Sequence, residues 1–150
     1  MIQRIQSVYM LLSALVTGLL LKLKLADMVS GDQFYTFFAG GVYHKAERIF
    51  SGLPLQVFIS VAVITHLVAI LSYRNRVRQI RILVFAEIVL LGLMGIILYF
   101  AYGSLDGLNV SFKLPVAFPL VAVILNFLAI RAIGKDEALI RSIDRIRRKK

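Results

Sequence analysis

Four long apolar blocks, covering about 5–25, 55–73, 82–102 and 116–133, constrain this chain more than any other feature. A helix needs about 20 predominantly apolar residues to cross the roughly 30 Å of hydrocarbon in a bilayer, and within that layer it must satisfy its own backbone hydrogen bonds. The blocks therefore predict an all-α membrane protein, with four transmembrane helices in one domain of 150 residues. An apolar fraction of 59% points the same way, because soluble proteins hold about 45–50%.

The flanks of the blocks refine this expectation. Lys22 and Lys24 interrupt the first block near its end. Read as snorkelling to the interface, they keep it a retained span and not a cleaved signal segment. Pro54 precedes the second block, and Pro115 and Pro119 open the fourth. Those are first-turn positions, where proline's missing N–H costs little.

The net charge of +10 is concentrated at block ends and not along one amphipathic face, which disfavours nucleic acid as a partner. Arg4, the arginine-rich loop 74–81 and the basic tail from Arg131 to Lys150 fall on one side of the membrane. They outnumber Lys22, Lys24, Lys45, Arg48 and Lys113 on the other. The positive-inside rule then puts both termini in the cytoplasm.

Between the first two blocks, Phe34–Phe38 and Val42–Tyr43 flank Gly40-Gly41, a pattern that fits a short hairpin in the outer loop, the alternative being a semi-ordered loop. The segment from Gly103 to Leu114 reads as a polar turn. Beyond Gly134, Asp136 and Glu137 precede an apolar stripe of Leu139, Ile140, Ile143 and Ile146, with basic residues gathered at the end. This predicts a separate amphipathic cytoplasmic helix over about 135–150 that lies at the interface.

Three stretches carry a family resemblance: Met1-Ile2-Gln3-Arg4-Ile5-Gln6 with Tyr9, the loop Arg74-Asn75-Arg76-Val77-Arg78-Gln79-Ile80-Arg81, and the closing run from Leu128 through Lys135-Asp136-Glu137 to Arg147. Together they resemble the family of Bacteroidota membrane proteins called domain of unknown function 4293, over essentially the whole chain. The resemblance implies a small inner-membrane protein of Gram-negative bacteria, with outer loops in the periplasm and no assigned activity.

Few residues are placed to carry chemistry. Glu87 lies inside the third block, where an ionisable group is costly and needs a partner or a purpose. His66 and Asn126 fall at similar depth in the second and fourth blocks, so the three form a candidate intramembrane polar cluster. It serves either to lock helices together or to pass a proton or cation. Arg74, Arg76, Arg78 and Arg81, with Arg141, Arg145, Arg147 and Arg148, form a basic surface for anionic lipid head groups or a protein partner.

The chain has no cysteine, no Gly-rich phosphate loop, no His-Glu-x-x-His and no Gly-x-Ser-x-Gly. We therefore expect no cofactor, no metal site and no enzymatic activity. The leading expectation is an accessory or assembly partner in the inner membrane. The alternative is a small transporter or channel, formed by oligomerising around Glu87, His66 and Asn126.

Overall fold

The computed structural model describes the backbone of residues 3–45, 47–103 and 109–147, and the side chains of these except at 3–4, 141 and 143–147. Four helices run alternately up and down: α1 (Gln3–Leu19), α2 (Leu53–Leu71), α3 (Arg76–Gly103) and α4 (Phe118–Arg147). Helix α1 packs against α2 and α4, and α3 packs against the same two. Their buried faces recur in alternating steps of four and three residues, as in Ala122, Asn126, Ala129, Ile133 and Asp136 of α4. That spacing sets a seam between neighbouring helices.

The outward faces are apolar as well, with Leu67, Ile88, Leu91, Leu98, Ile124 and Phe127 exposed. Helices apolar all round are solvated by protein or by lipid. Three stretches are long and apolar enough to cross a membrane: Leu53–Leu71, Arg76–Gly103 and Leu114–Ile140. They mark a membrane protein.

The expected count of four spans is corrected to three. Helix α1 has 17 residues, a rise of about 25 Å, which is short of the hydrocarbon thickness. Its last turn tightens, with the N–H groups of Leu20, Leu21 and Lys22 bonding three residues back, and the chain then enters a strand. Lys24 does not snorkel from a helix end; its ammonium pairs with Asp27 within that strand.

The expectation of an all-α fold is also overturned. A five-stranded antiparallel sheet caps one end, formed by β1 (Lys24–Ser30), β2 (Gln33–Phe38), β3 (Gly41–His44), β4 (Glu47–Ser51) and β5 (Asn109–Phe112), in the order β4-β3-β2-β1-β5. The predicted hairpin is the β2–β3 pair, which closes at Phe38 opposite Gly41. The segment read as a polar turn supplies β5, in register with β1 from Ala26 opposite Phe112 to Val29 opposite Asn109.

Alternation sets which face of the sheet is covered. Tyr35 and Phe37 point inward, whereas Phe34 is exposed. Leu25, Met28 and Phe37 share one core with Leu55 and Ile59 of α2 and Leu93 and Ile97 of α3. The Phe37 ring stacks on Phe100 of α3 with centroids 6.1 Å apart. The sheet is thus bolted to the helix ends.

Glycine is required where sheet and helix meet. Gly41 has φ 135°, and a Cβ there would fall 1.9 Å from the Phe50 carbonyl oxygen. At Gly52, just before α2, a Cβ would fall 2.2 Å from the Ala39 carbonyl oxygen.

Helix α4 corrects the reading of the tail. It runs unbroken through Gly134, where an added Cβ would meet nothing within 4 Å. Asp136 and Glu137 therefore sit in mid-helix and do not begin a second one. One glycine costs a helix only about 1 kcal/mol. Full burial of the neighbouring Ile133 side chain, about 1.5–3 kcal/mol, outweighs that. Residues 148–150 of the expected tail helix lie outside the described residues.

Candidate functional site

Buried polar side chains on the helix seams define the candidate site, and they fall into separate nodes. Asn126 of α4 is fully buried. Its Nδ2 donates to the Leu83 carbonyl oxygen of α3 at 2.9 Å and to Oε2 of half-buried Glu87 on the same helix. Asn126 Oδ1 is enclosed without a donor among the described residues. The node offers oxygen ligands.

His66 belongs to a different node. Its Nδ1 lies 2.7 Å from the Ala62 carbonyl oxygen one turn back, and its Nε2 lies 2.9 Å from Oγ of Ser13 on α1. A carbonyl only accepts, so Nδ1 carries the proton and Nε2 is left to accept from the serine. Ser13 Oγ is also 3.2 Å from the Ala122 carbonyl oxygen, so its single proton goes either to His66 of α2 or to the Ala122 carbonyl of α4. The structure joins Glu87 to Asn126 and bonds His66 to Ser13. Proximity in depth had grouped three residues that face different helix pairs.

A third node lies at the end opposite the sheet. Gln6 Nε2 of α1 donates to Asp136 Oδ2 of α4 at 2.6 Å, with both side chains buried. Nearby, Gln79 Nε2 of α3 donates to the Ala69 carbonyl oxygen of α2 at 3.0 Å. The α2–α3 loop is short because Asn75 Oδ1 accepts from the Arg78 N–H and starts α3.

Sequence reasoning did not place Gln6, Ser13, Gln79 or Asp136 in the site: Gln6 and Gln79 entered only through the family motifs and Asp136 only as a helix start. A signal was present in α1, where Gln6, Met10, Ser13 and Thr17 recur at helical spacing within an apolar block.

The basic surface surrounds this third node. Arg74, Arg78 and Arg81 are exposed, and the Arg74 guanidinium lies 6.0 Å from the centre of the Tyr73 ring. Arg76 is partly buried, with Nη1 enclosed and without an acceptor among the described residues. Arg141, Arg145 and Arg147 lie on α4, but their side chains, like the whole of Arg148, fall outside the described residues. Among the described residues no group of three His, Cys, Asp or Glu side chains converges as a metal site would require.

At the sheet end, Asp27 of β1 pairs with Lys24 and, at 3.0 Å, with Lys113 ahead of α4. The hydrogen bond from Lys24 is the main influence that holds the Asp27 carboxyl below its ordinary range, against a smaller upward push from desolvation; Lys113 adds to the lowering.

The sequence profile of the family described as Domain of unknown function (DUF4293) matches residues 2–146. The chain belongs to that family. The match takes in all three polar nodes and both arginine-bearing segments except for residues beyond 146, so these features lie within the DUF4293 domain itself. No curated protein and no solved structure matches the chain.

Proposed function

We propose that this DUF4293 protein is a non-enzymatic accessory or assembly component of the bacterial inner membrane, with the C-terminus and the basic surface in the cytoplasm and the sheet in the periplasm. The observation that carries this reading is the way the buried polar groups are used. Gln6–Asp136, Ser13–His66 and Asn126–Leu83 each bond one helix to another, as in a fixed anchor. Such an anchor separates two presenting surfaces, an outer sheet and an inner cluster of arginines.

The test is gentle detergent extraction of the tagged full chain from its native membrane. One larger protein should co-isolate in constant ratio, persist in Glu87→Gln and be lost when Arg74, Arg76, Arg78 and Arg81 are all changed to Gln. Recovery of the chain alone from wild type removes the proposal.

One observation favours a second reading, a small oligomeric transporter or channel: Glu87 is an ionisable group within an apolar helix, and the enclosed Asn126 Oδ1 next to it has no donor among the described residues. Reconstituted vesicles would then show an ion flux that Glu87→Gln abolishes. Flux unchanged by that substitution eliminates this alternative.

A further inference from the structure

Between α1 and α4, at the end opposite the sheet, a groove of about 440 Å³ is lined by Ile5, Tyr9, Leu128, Arg131, Lys135 and Leu139, with Asp136 at its floor. Arg131 and Lys135 are one turn apart on α4, so their charges project from one face. Both are exposed, and neither is in an ion pair among the described residues. Among the described residues the groove's one carboxylate, Asp136, is turned inward onto Gln6.

We infer that this groove is a binding site for one anionic phospholipid, with the phosphate between Arg131 and Lys135 and an acyl chain running past Leu128. The inference rests on the reading that α4 spans the membrane with this end in the head-group region, and it gives the lipid contact a specific place away from the arginine loop.

Charge and polarity together select the occupant. Two cations over one satisfied carboxylate leave one net positive charge, which matches the single negative charge of a phosphodiester. Arginine and lysine both bind phosphate oxygens, the first in a fork and the second as a point charge. Half-buried Tyr9 adds a phenolic hydroxyl at the same rim. Arg131 is the first charged residue of α4 and Lys135 and Asp136 follow within two turns, so the groove lies where an apolar helix turns polar. Leu128, Ile5 and Leu139 are exposed within it. A free anion has no use for those apolar walls, whereas a phospholipid needs both halves. Basic pockets between helices at the inner face of a membrane take lipid head groups in this manner.

The experiment uses the full chain in nanodiscs of phosphatidylcholine with a minor share of phosphatidylglycerol, followed by native mass spectrometry of the retained lipid. Wild type should keep one phosphatidylglycerol in preference to phosphatidylcholine. Arg131→Gln with Lys135→Gln should reduce that preference about tenfold, given the contribution of each basic residue near a charged surface. The loop pair Arg78→Gln with Arg81→Gln should leave it unchanged. Leu128→Trp, which fills the apolar half and keeps both charges, should also reduce it.

Equal loss in the two arginine-bearing pairs would mean diffuse surface charge and overturns the site. So does retention of phosphatidylcholine at the same level, or full displacement by millimolar inorganic phosphate. Extraction of the chain from native membranes by alkaline carbonate would instead sink the membrane-spanning reading, independently of lipid preference.

Discussion

The two ends of this molecule are held by different physics. At the sheet end, large side chains interlock: Phe37, Leu25 and Met28 are fully buried against Leu93, Ile97 and Phe100, and glycines let backbone approach backbone. At the opposite end a smaller apolar core of Met10, Ala69, Leu83, Ala129 and Ile133 is supplemented by single hydrogen bonds between helices, Gln6 to Asp136 and Gln79 to the Ala69 carbonyl. Burial is graded and tolerates small shifts, whereas a buried polar pair fails abruptly when one partner is removed. The first kind of contact fits a domain that must fold outside the hydrocarbon. The second fits helices already surrounded by lipid, where the hydrophobic effect does not drive one helix onto another.

The comparison is tested most severely by Phe37→Ala. Removing a fully buried aromatic that stacks on Phe100 should cost about 3–5 kcal/mol. Thermal unfolding of detergent-solubilised protein reads that loss, and limited proteolysis should locate it at 24–51 while α4 stays protected. Uniform loosening of both ends would show that they are one cooperative unit.

Gln6→Leu is the counterpart at the other end. It keeps the bulk but leaves buried Asp136 unsatisfied, so destabilisation of about 1–3 kcal/mol is expected. Adding Asp136→Leu should recover most of it, because two apolar partners need no hydrogen bond. Such a double-mutant cycle measures the pair directly.

A pH titration sharpens the contrast further. Asp27 has its pKa lowered by Lys24 and Lys113, so its folded form binds a proton less readily than the unfolded chain. The stability it contributes is present above the unfolded aspartate pKa of about 3.9 and is lost as pH falls through the lower folded value. Hydrogen exchange should show β1 and β5 opening in that window, and Asp27→Asn should remove the pH dependence. The effect is modest because the pair is partly solvent-exposed.

The smallest expected change is Gly134→Ala. A Cβ there meets no neighbour, so the helix should gain up to about 1 kcal/mol. A loss instead would mean that the glycine is kept for an approach by something outside this chain.

How much was legible in the sequence follows from the range of each interaction. Blocks two to four were legible as helices long and apolar enough to span, because lipid imposes a local compositional rule. The β2–β3 hairpin was legible from Gly40-Gly41, since a turn is a local event. The first two residues of strand β1 were read as the end of a helix because Leu23 and Leu25 continue the apolar run, and the rest as outer loop. Strand β5 was hidden in a four-residue stretch whose partner lies far back in the chain, and β4 is exposed along its whole length and shows no buried alternation. Within the site, counting depth found the Glu87–Asn126 contact. It could not assign the direction each residue faces, so Ser13 was missed as the partner of His66.

The position of β1 between β2 and β5 makes the order of synthesis matter. One flank of β1 can be zipped as soon as the nearby hairpin emerges, but the other must wait until α2 and α3 have been made, because Asn109–Phe112 follows them. Closure of the sheet therefore depends on α2 and α3 folding back on each other, since only then does the last strand return to the free edge of β1.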